Sequence, residues 1–278
     1  AQGVGLLQSV TAVPIPTDHI FVSDLHLGRD PATRRRDEQD LVDCLTHFEG
    51  KVAALWLLGD LFEAWIEHRH AVPPPPARLF GLLARWADEG VRITVFAGNH
   101  DPWHAGYLTR EIGARLVMDG LTEHVHRSGA TPLKLYLHHG DGHAPGGWYR
   151  RLRPILRARL PVALWKLMPA DVGMGLALRS SHGLRGLPVD VRQVEGLRQH
   201  ARKVLASGEA DAIVMGHSHW AEHLDSGALG VARGEYLNTG AWFAQRTFAR
   251  LGANGFELLR WADGEALPYD APPLDVVA

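Results

Sequence analysis

The chain has 278 residues, 46% hydrophobic, 22% charged and 8% aromatic, an ordinary globular mixture that excludes collagen, coiled coil and wholesale disorder. Lys and Arg total 29 against 31 Asp and Glu, a net charge of −2, so no global field draws the molecule to nucleic acid. The single cysteine, Cys44, has no partner for an internal disulfide and points to a reducing compartment, while the absence of any run of about 18 apolar residues argues against a membrane span.

The length accommodates one to two domains. The first sixteen residues lack a basic stretch ahead of an apolar run and do not read as a signal peptide. In chain order, short apolar runs alternate with amphipathic stretches. A strand is expected over 19–23, a helix over 34–48 and a buried strand over 52–58. Pro73 to Pro76 punctuate the chain as a surface loop before a helix over 77–88, and a strand follows over 91–97. Further strands are expected over 133–138, 212–215 and 235–237. Strands alternating with helices predict an α/β layered fold, in which ligands gather beyond the carboxyl ends of strands.

Residues 143–189 break this rhythm. They hold eight Lys and Arg, among them Arg150, Arg153 and Arg157, against one acid, Asp171, for a formal charge of +7. Apolar residues including Trp148, Leu152, Ile155, Leu160, Leu164, Trp165 and Leu167 recur there mostly at intervals of three or four, and Pro154, Pro161 and Pro169 interrupt them. The reading is a set of short basic amphipathic helices forming a cap over 143–189. It is inserted in a core made of 1–142 and 190–278.

Five short segments place metal-ligating residue types directly after expected strands. They are Asp24-Leu25-His26, Gly59-Asp60, Gly98-Asn99-His100-Asp101, His138-His139-Gly140-Asp141 and Gly216-His217-Ser218-His219. Each alone is weak. Together they predict a shared site, because burying so many polar groups without partners would cost several kcal/mol. Carboxylate, imidazole and amide donors suit Mn²⁺, Fe²⁺ or Zn²⁺ better than Ca²⁺ or a thiolate-rich centre. The carboxylate of Asp60 can bridge two ions about 3.5–4 Å apart, a pair that clamps both oxygens of an in-line displacement at phosphorus. Hydrolysis of a phosphate ester or anhydride follows. The strand alternation turns His138 away from the face carrying His139, and Cys44 reads as a small core residue.

The order D-x-H, G-D, G-N-H-D, H-G-D, G-H-x-H resembles that of the calcineurin-like binuclear metallophosphoesterases, across nearly the whole chain. The resemblance implies a four-layer α/β/β/α sandwich with the metals at one edge. It implies one divalent ion held by Asp24, His26, Asp60 and His219, and a second held by Asp60, Asn99, His139 and His217, with Mn²⁺ the first choice. It also implies that His100, oriented by Asp101, is the proton donor or charge stabiliser beside the scissile phosphate.

Narrower features are similar to the UDP-2,3-diacylglucosamine diphosphatases of bacterial lipid A synthesis: the block from Leu58 to Trp65, the segment from His139 to Gly142 followed by the Tyr149-containing insertion, and Gly240-Ala241-Trp242. That resemblance implies cleavage of an acylated sugar nucleotide to UMP and an acylated sugar 1-phosphate. The substrate-binding residues expected are Asn99, His100, His217, Arg150, Arg153 and Arg157. The expected location is the cytoplasmic face of the inner membrane, held through the basic cap, with no nucleic-acid partner. Where many of these diphosphatases carry Arg, this chain has His100, and Glu67-His68-Arg69 replaces a common acidic pair. A general phosphoesterase acting on a soluble ester is the alternative, and a non-catalytic scaffold stands third because all eight site residues are present.

Overall fold

The computed structural model describes residues 16–68, 70–127, 130–143, 148–182 and 189–274, without the side chains of 148–150, 159 and 180–182. The chain opens with strand β1 (Asp18–Val22), helix α1 (Arg34–His47), strand β2 (Val52–Leu57), helix α2 (Ala77–Asp88) and strand β3 (Arg92–Phe96). Helix α3 (Tyr107–Ile112) and strands β4 (Arg115–Val117), β5 (Leu121–Val125) and β6 (Leu133–Leu137) follow. The basic segment carries α4 (Trp148–Leu156), α5 (Arg159–Trp165) and α6 (Ala170–His182). Helix α7 (Val191–Ser207) returns to β7 (Ala212–Met215), β8 (Ala221–Leu224), α8 (Ser226–Leu229), β9 (Glu235–Thr239) and α9 (Trp242–Gln245). Strands β10 (Thr247–Gly252), β11 (Gly255–Ala262) and β12 (Glu265–Pro268) finish the described chain.

Two sheets result. One runs β12-β11-β10-β1-β2-β3-β4 and the other β5-β6-β7-β9-β8. The period of two along each strand explains why they stack. In β1, Phe21 joins an inter-sheet core while Ile20 and Val22 face the outer helices. In β2, Trp56 points inward and Leu55 and Leu57 outward. On the second sheet, Leu135, Leu137 and Val214 meet the first sheet, whereas Ile213 and Met215 pack with Leu197, Ala201 and Leu205 of α7. Helices α1 and α2 cover the outer face of the seven-stranded sheet through Leu41, Cys44, Leu45, Leu79, Leu83 and Trp86. The layers are therefore helix, sheet, sheet, helix, the four-layer sandwich expected from the sequence.

This topology sets the site. Strands β1, β2 and β3 are parallel to one another, as are β6 and β7, so five carboxyl-terminal loops open on one rim. The expected elements match the observed ones to within a residue or two at each end. Cys44 lies in the core as anticipated, its thiol pushed up by burial.

The segment from α4 to α6 shows a different pattern of burial. Leu160 is 69% exposed, Leu164 57% and Leu167 80%. No helix among the described residues is long and apolar enough to cross a membrane.

Candidate metal centre

All five loops deliver their polar side chains to one place. Asp24, His26 and His219 form one group in which a donor atom from each lies within 4.8 Å of the others, and Asp60, His139 and His217 form a second. A third group, His26, Asp60 and His100, links them. Asp60 is common to two groups: its Oδ2 lies 3.3 Å from His139 Nε2 and 3.8 Å from His26 Nε2. Asn99 Oδ1 lies 3.1 Å from His139 Nε2.

The backbone is bent to make this possible. Asp24, His26, Asp60, His217 and His219 all have φ between 45° and 70°, the left-handed region that residues with a Cβ seldom adopt. Strain of about 1–3 kcal/mol per residue persists only where the surroundings hold it. Those surroundings are dense. The carboxylate of Asp101 accepts hydrogen bonds from the amides of Gly98 at 2.8 Å, Leu61 at 2.8 Å and Asp60 at 3.2 Å. Glycine is required at two neighbouring positions, because a Cβ on Gly98 would sit 2.0 Å from Asp60 Oδ1 and one on Gly216 would sit 2.2 Å from Ser23 Oγ.

Partners outside the ligand set orient it. Glu63 Oε2 lies 3.0 Å from His26 Nδ1, which leaves Nε2 as the free face of that ring. The Leu58 carbonyl does the same for His139 Nδ1 at 2.8 Å, and Gln193 Nε2 lies 2.7 Å from His217 Nε2. Ser23 donates to Asp24, and the His217 amide donates to Asp24 Oδ2 at 2.9 Å. Sequence reasoning gives no orienting role to Glu63, Leu58, Gln193 or Ser23, although Leu58 and Glu63 fall in the block from Leu58 to Trp65. The fixed ring nitrogen opposite each ligand atom is the feature that assigns them, and it exists only in three dimensions.

The electrostatics point to a cation. Burial would raise the Asp24 carboxyl, but His219 and His139 outweigh it and bring it to about 2. Asp60 is held well below the ordinary carboxylate range by His139, His100 and His26, against the same upward push of burial. Burial would lower His139, yet the carboxylates of Asp60, Asp24 and Asp141 raise it to about 10. His217, buried and close to His139, falls to about 4. Two ionised carboxylates in a buried pocket make a region of negative potential, and imidazolium protons answer it in the metal-free protein. Asp24 Oδ1 and His26 Nε2 are also buried without a hydrogen bond of good geometry, although His219 Nε2 lies 3.1 Å from Asp24 Oδ1. Orphaned atoms of this kind cost about 1–3 kcal/mol each. Divalent cations would satisfy both the charge and the orphaned donors, so the residues fit the metal pair expected of them.

Three of the expected site residues have partners in the core. Backbone amides of the Asp60 and Gly98 loops donate to the Asp101 carboxylate, and His100 Nδ1 faces the Glu63 carbonyl at 3.3 Å. Asp101 therefore shapes the loops. Arg153 and Arg157 reach carboxylates. Arg153 Nε lies 2.7 Å from Asp141 Oδ2 and its Nη2 2.9 Å from Asp119 Oδ1, while Arg157 Nη2 lies 3.0 Å from Asp141 Oδ2. Asp141 is a buried carboxylate in need of cations, and these guanidiniums supply them. The side chain of Arg150 lies outside the described residues. His138, as expected, turns away from the metal groups and bonds Asp119 Oδ1 through Nε2 at 2.9 Å.

Comparison with known proteins bears on the same residues. The family model for the calcineurin-like phosphoesterases matches residues 20–221. A UDP-2,3-diacylglucosamine hydrolase of Porphyromonas gingivalis is 37% identical over 168 residues, which are 58% of this chain and 62% of that protein's length. One from Vibrio vulnificus is 24% identical over 252 residues, covering 86% of this chain and 96% of the relative. Among solved structures, vacuolar protein sorting 29 of Cryptosporidium parvum aligns with a TM-score of 0.44 at 12% identity, over 90% of this chain and 94% of its own.

Proposed function

This chain belongs to the calcineurin-like phosphoesterase family and is a metal-dependent phosphohydrolase, and on that premise we propose that it cleaves the diphosphate of UDP-2,3-diacylglucosamine to UMP and 2,3-diacylglucosamine 1-phosphate, a step of lipid A biosynthesis. The curated relatives are named for hydrolysis of that substrate. The observation that carries the reading is a mainly apolar crevice of about 150 Å³ beside the ligand loops, lined by Leu27, Phe62 and Trp65 of the core and by Met174 and Leu178 of α6, with Arg34, Glu38 and Glu63 also on its wall. An acylated substrate needs apolar surface next to its phosphates. A soluble ester does not.

Asp24, His26, Asp60 and His219 would hold one divalent ion and Asp60, Asn99, His139 and His217 the other, with Mn²⁺ the first choice among Mn²⁺, Fe²⁺ and Zn²⁺, all of which suit the mixed carboxylate, imidazole and amide donors. When bound, such a pair polarises phosphoryl oxygens and lowers the pKa of water at the site. The residues do the remainder. Glu63 and Leu58 keep the Nε2 atoms of His26 and His139 aimed inward, and Asp101 keeps Asp60 in its strained conformation. Water adds to phosphorus, the anhydride P–O bond breaks, and both products leave as phosphomonoesters, the two hydrogens of the water being released as protons when each product becomes a dianion. His100, grouped with His26 and Asp60, is placed to steady charge on the oxygen that departs.

Residues 143–189 serve in this reading as a cap over the rim, seated on the cytoplasmic face of the inner membrane. The exposed Leu160, Leu164 and Leu167, with Arg151 and Lys166 on the same segment, suit an interfacial lipid surface. UMP release from UDP-2,3-diacylglucosamine by the Mn²⁺-loaded protein tests the proposal. Turnover of a chromogenic phosphate ester with no UMP released at micromolar enzyme would overturn it in favour of a general phosphoesterase, the reading to which a retained His100 lends some support.

A further inference from the structure

Among the described residues, Arg153 and Arg157 link the cap to the metal rim, and Arg157 does more than neutralise charge. Arg157 follows the end of α4 and is largely buried, 13% exposed at the side chain. Its Nη2 reaches Asp141 Oδ2 at 3.0 Å, the Gly98 carbonyl at 3.0 Å and the Ala97 carbonyl at 3.3 Å, and its Nη1 donates to the Met118 carbonyl. A planar guanidinium can meet several acceptors at fixed angles, which an ammonium cannot. The Gly98 residue is thereby held at both ends: its amide donates to Asp101 Oδ1 at 2.8 Å and its carbonyl accepts from Arg157. The next residue is Asn99, 3.1 Å from His139, and the one after is His100, whose amide donates to Asp60 Oδ1 at 2.8 Å. Gly98 also packs directly on Asp60, which occupies the place a Cβ would take.

We propose that Arg157 is a positioning residue of the phosphohydrolase: from the cap it fixes the Gly98 carbonyl and so sets Asn99 and His100 against Asp60. Arg153 supports it by sharing the charge of Asp141. The proposal rests on the reading of Asn99 as a metal ligand and is independent of which phosphate compound is the substrate. It also separates two roles that a basic cap could play. A phosphate-reading arginine acts on KM, and a positioning one acts on metal affinity and kcat.

The test uses the full chain, titrated with Mn²⁺ and assayed on bis(p-nitrophenyl) phosphate, a diester too small to need the apolar crevice. In Arg157→Gln, one of the two Mn²⁺ ions is expected to bind at least about tenfold more weakly, the usual effect of losing a group that orients a ligand. At saturating Mn²⁺, kcat should fall several-fold with KM within about twofold, and Arg157→Lys, which keeps the charge but not the fork, should fall between variant and wild type. Mn²⁺ affinity and kcat both within twofold of wild type overturn the proposal. So does a raised KM with metal affinity intact, which returns Arg157 to substrate contact. Equal losses in the two variants, accompanied by a lowered melting midpoint, assign the residue to stability and also overturn it. Should Arg157→Gln not fold, the Lys variant carries the same comparison. Wild-type protein that binds no Mn²⁺ sinks the metal reading instead, a result seen before any variant is made.

Discussion

The metal rim and the cap are built on opposite terms. At the rim five side-chain-bearing residues occupy left-handed backbone, ligand atoms are met by second partners, and glycines leave no spare volume. In the cap, α4 contains Pro154, α5 spans only Arg159–Trp165, and large apolar side chains such as Leu167 stand in solvent. Its described polar links to the core are concentrated at Arg153, Arg157 and the Trp103 indole, which donates to the Leu156 carbonyl at 2.8 Å. The difference teaches where each kind of specificity resides. Chemistry at phosphorus tolerates no displacement and sits on loops that cannot move independently, whereas recognition of a lipid-bearing substrate, the role proposed for the cap, needs area and lends itself to short helices.

The largest effect should come from the residue that the two metal groups share. Asp60→Ala is expected to abolish two-metal binding and to lower turnover of any phosphate ester by about 10³-fold or more, since both ions lose a ligand together. Metal analysis and a diester assay check this, and two tightly held Mn²⁺ in that variant would break the contrast at its root. His100→Ala should keep both ions and lose about 10²-fold in kcat, the scale of one group acting on proton or charge at the reacting atoms. Full turnover there would remove His100 from the chemistry. Gly98→Ala sharpens the claim that the rim has no slack: with Asp60 Oδ1 in the way at 2.0 Å, overpacking should lower stability by about 1–3 kcal/mol and reduce metal affinity as well. A denaturant melt matching wild type would show that the rim gives way more easily than its contacts indicate.

The cap should respond in the reverse sense. Leu164→Glu with Leu167→Glu, both at exposed positions, is expected to weaken sedimentation with anionic phospholipid vesicles by about tenfold while hydrolysis of bis(p-nitrophenyl) phosphate stays within about twofold. Loss of both together would mean that these side chains support the rim, and the two regions would no longer be separable.

The rim was legible in the sequence because few residue types ligate metals and because strand, loop and helix follow one another in a fixed grammar. Asp24, Asp60 and His217 could be placed at strand ends from the apolar runs alone. What lay beyond reach was partnership. A run of arginines states a charge of +7 without saying that Arg153 and Arg157 spend it on Asp141, an acid twelve residues before the nearer of them in a loop that looks like part of the ligand set. Asp101 likewise follows His100 directly, yet its oxygens accept from the Gly98 amide and from amides of Asp60 and Leu61, about forty residues earlier. The last three strands fall outside the apolar runs singled out as strands, although Asp263-Gly264, both at positive φ between β11 and β12, is a strong hairpin signal.

One buttress of the rim titrates, and its pH dependence is expected in folding stability. The His104 side chain is buried between two carboxylates, Glu67 Oε1 and Asp101 Oδ2, each 3.7 Å from a ring nitrogen, an ion-pair separation longer than a hydrogen bond. Burial would lower the imidazole, but the two acids prevail and raise it to about 9, while Glu67, which burial would raise, is brought to about 2 by His104, the Trp65 indole and the Tyr107 amide. A histidine whose folded pKa exceeds its unfolded value of 6.5 stabilises the native state fully below that value and loses the contribution as pH rises through 9. The gap in unfolding free energy between wild type and His104→Gln should therefore narrow by up to about 3 kcal/mol between pH 6.5 and 9.5. Urea melts at several pH values read it directly. A gap that does not change with pH would mean that Asp101 holds the Asp60 loop through its amide hydrogen bonds alone, with no charge behind it.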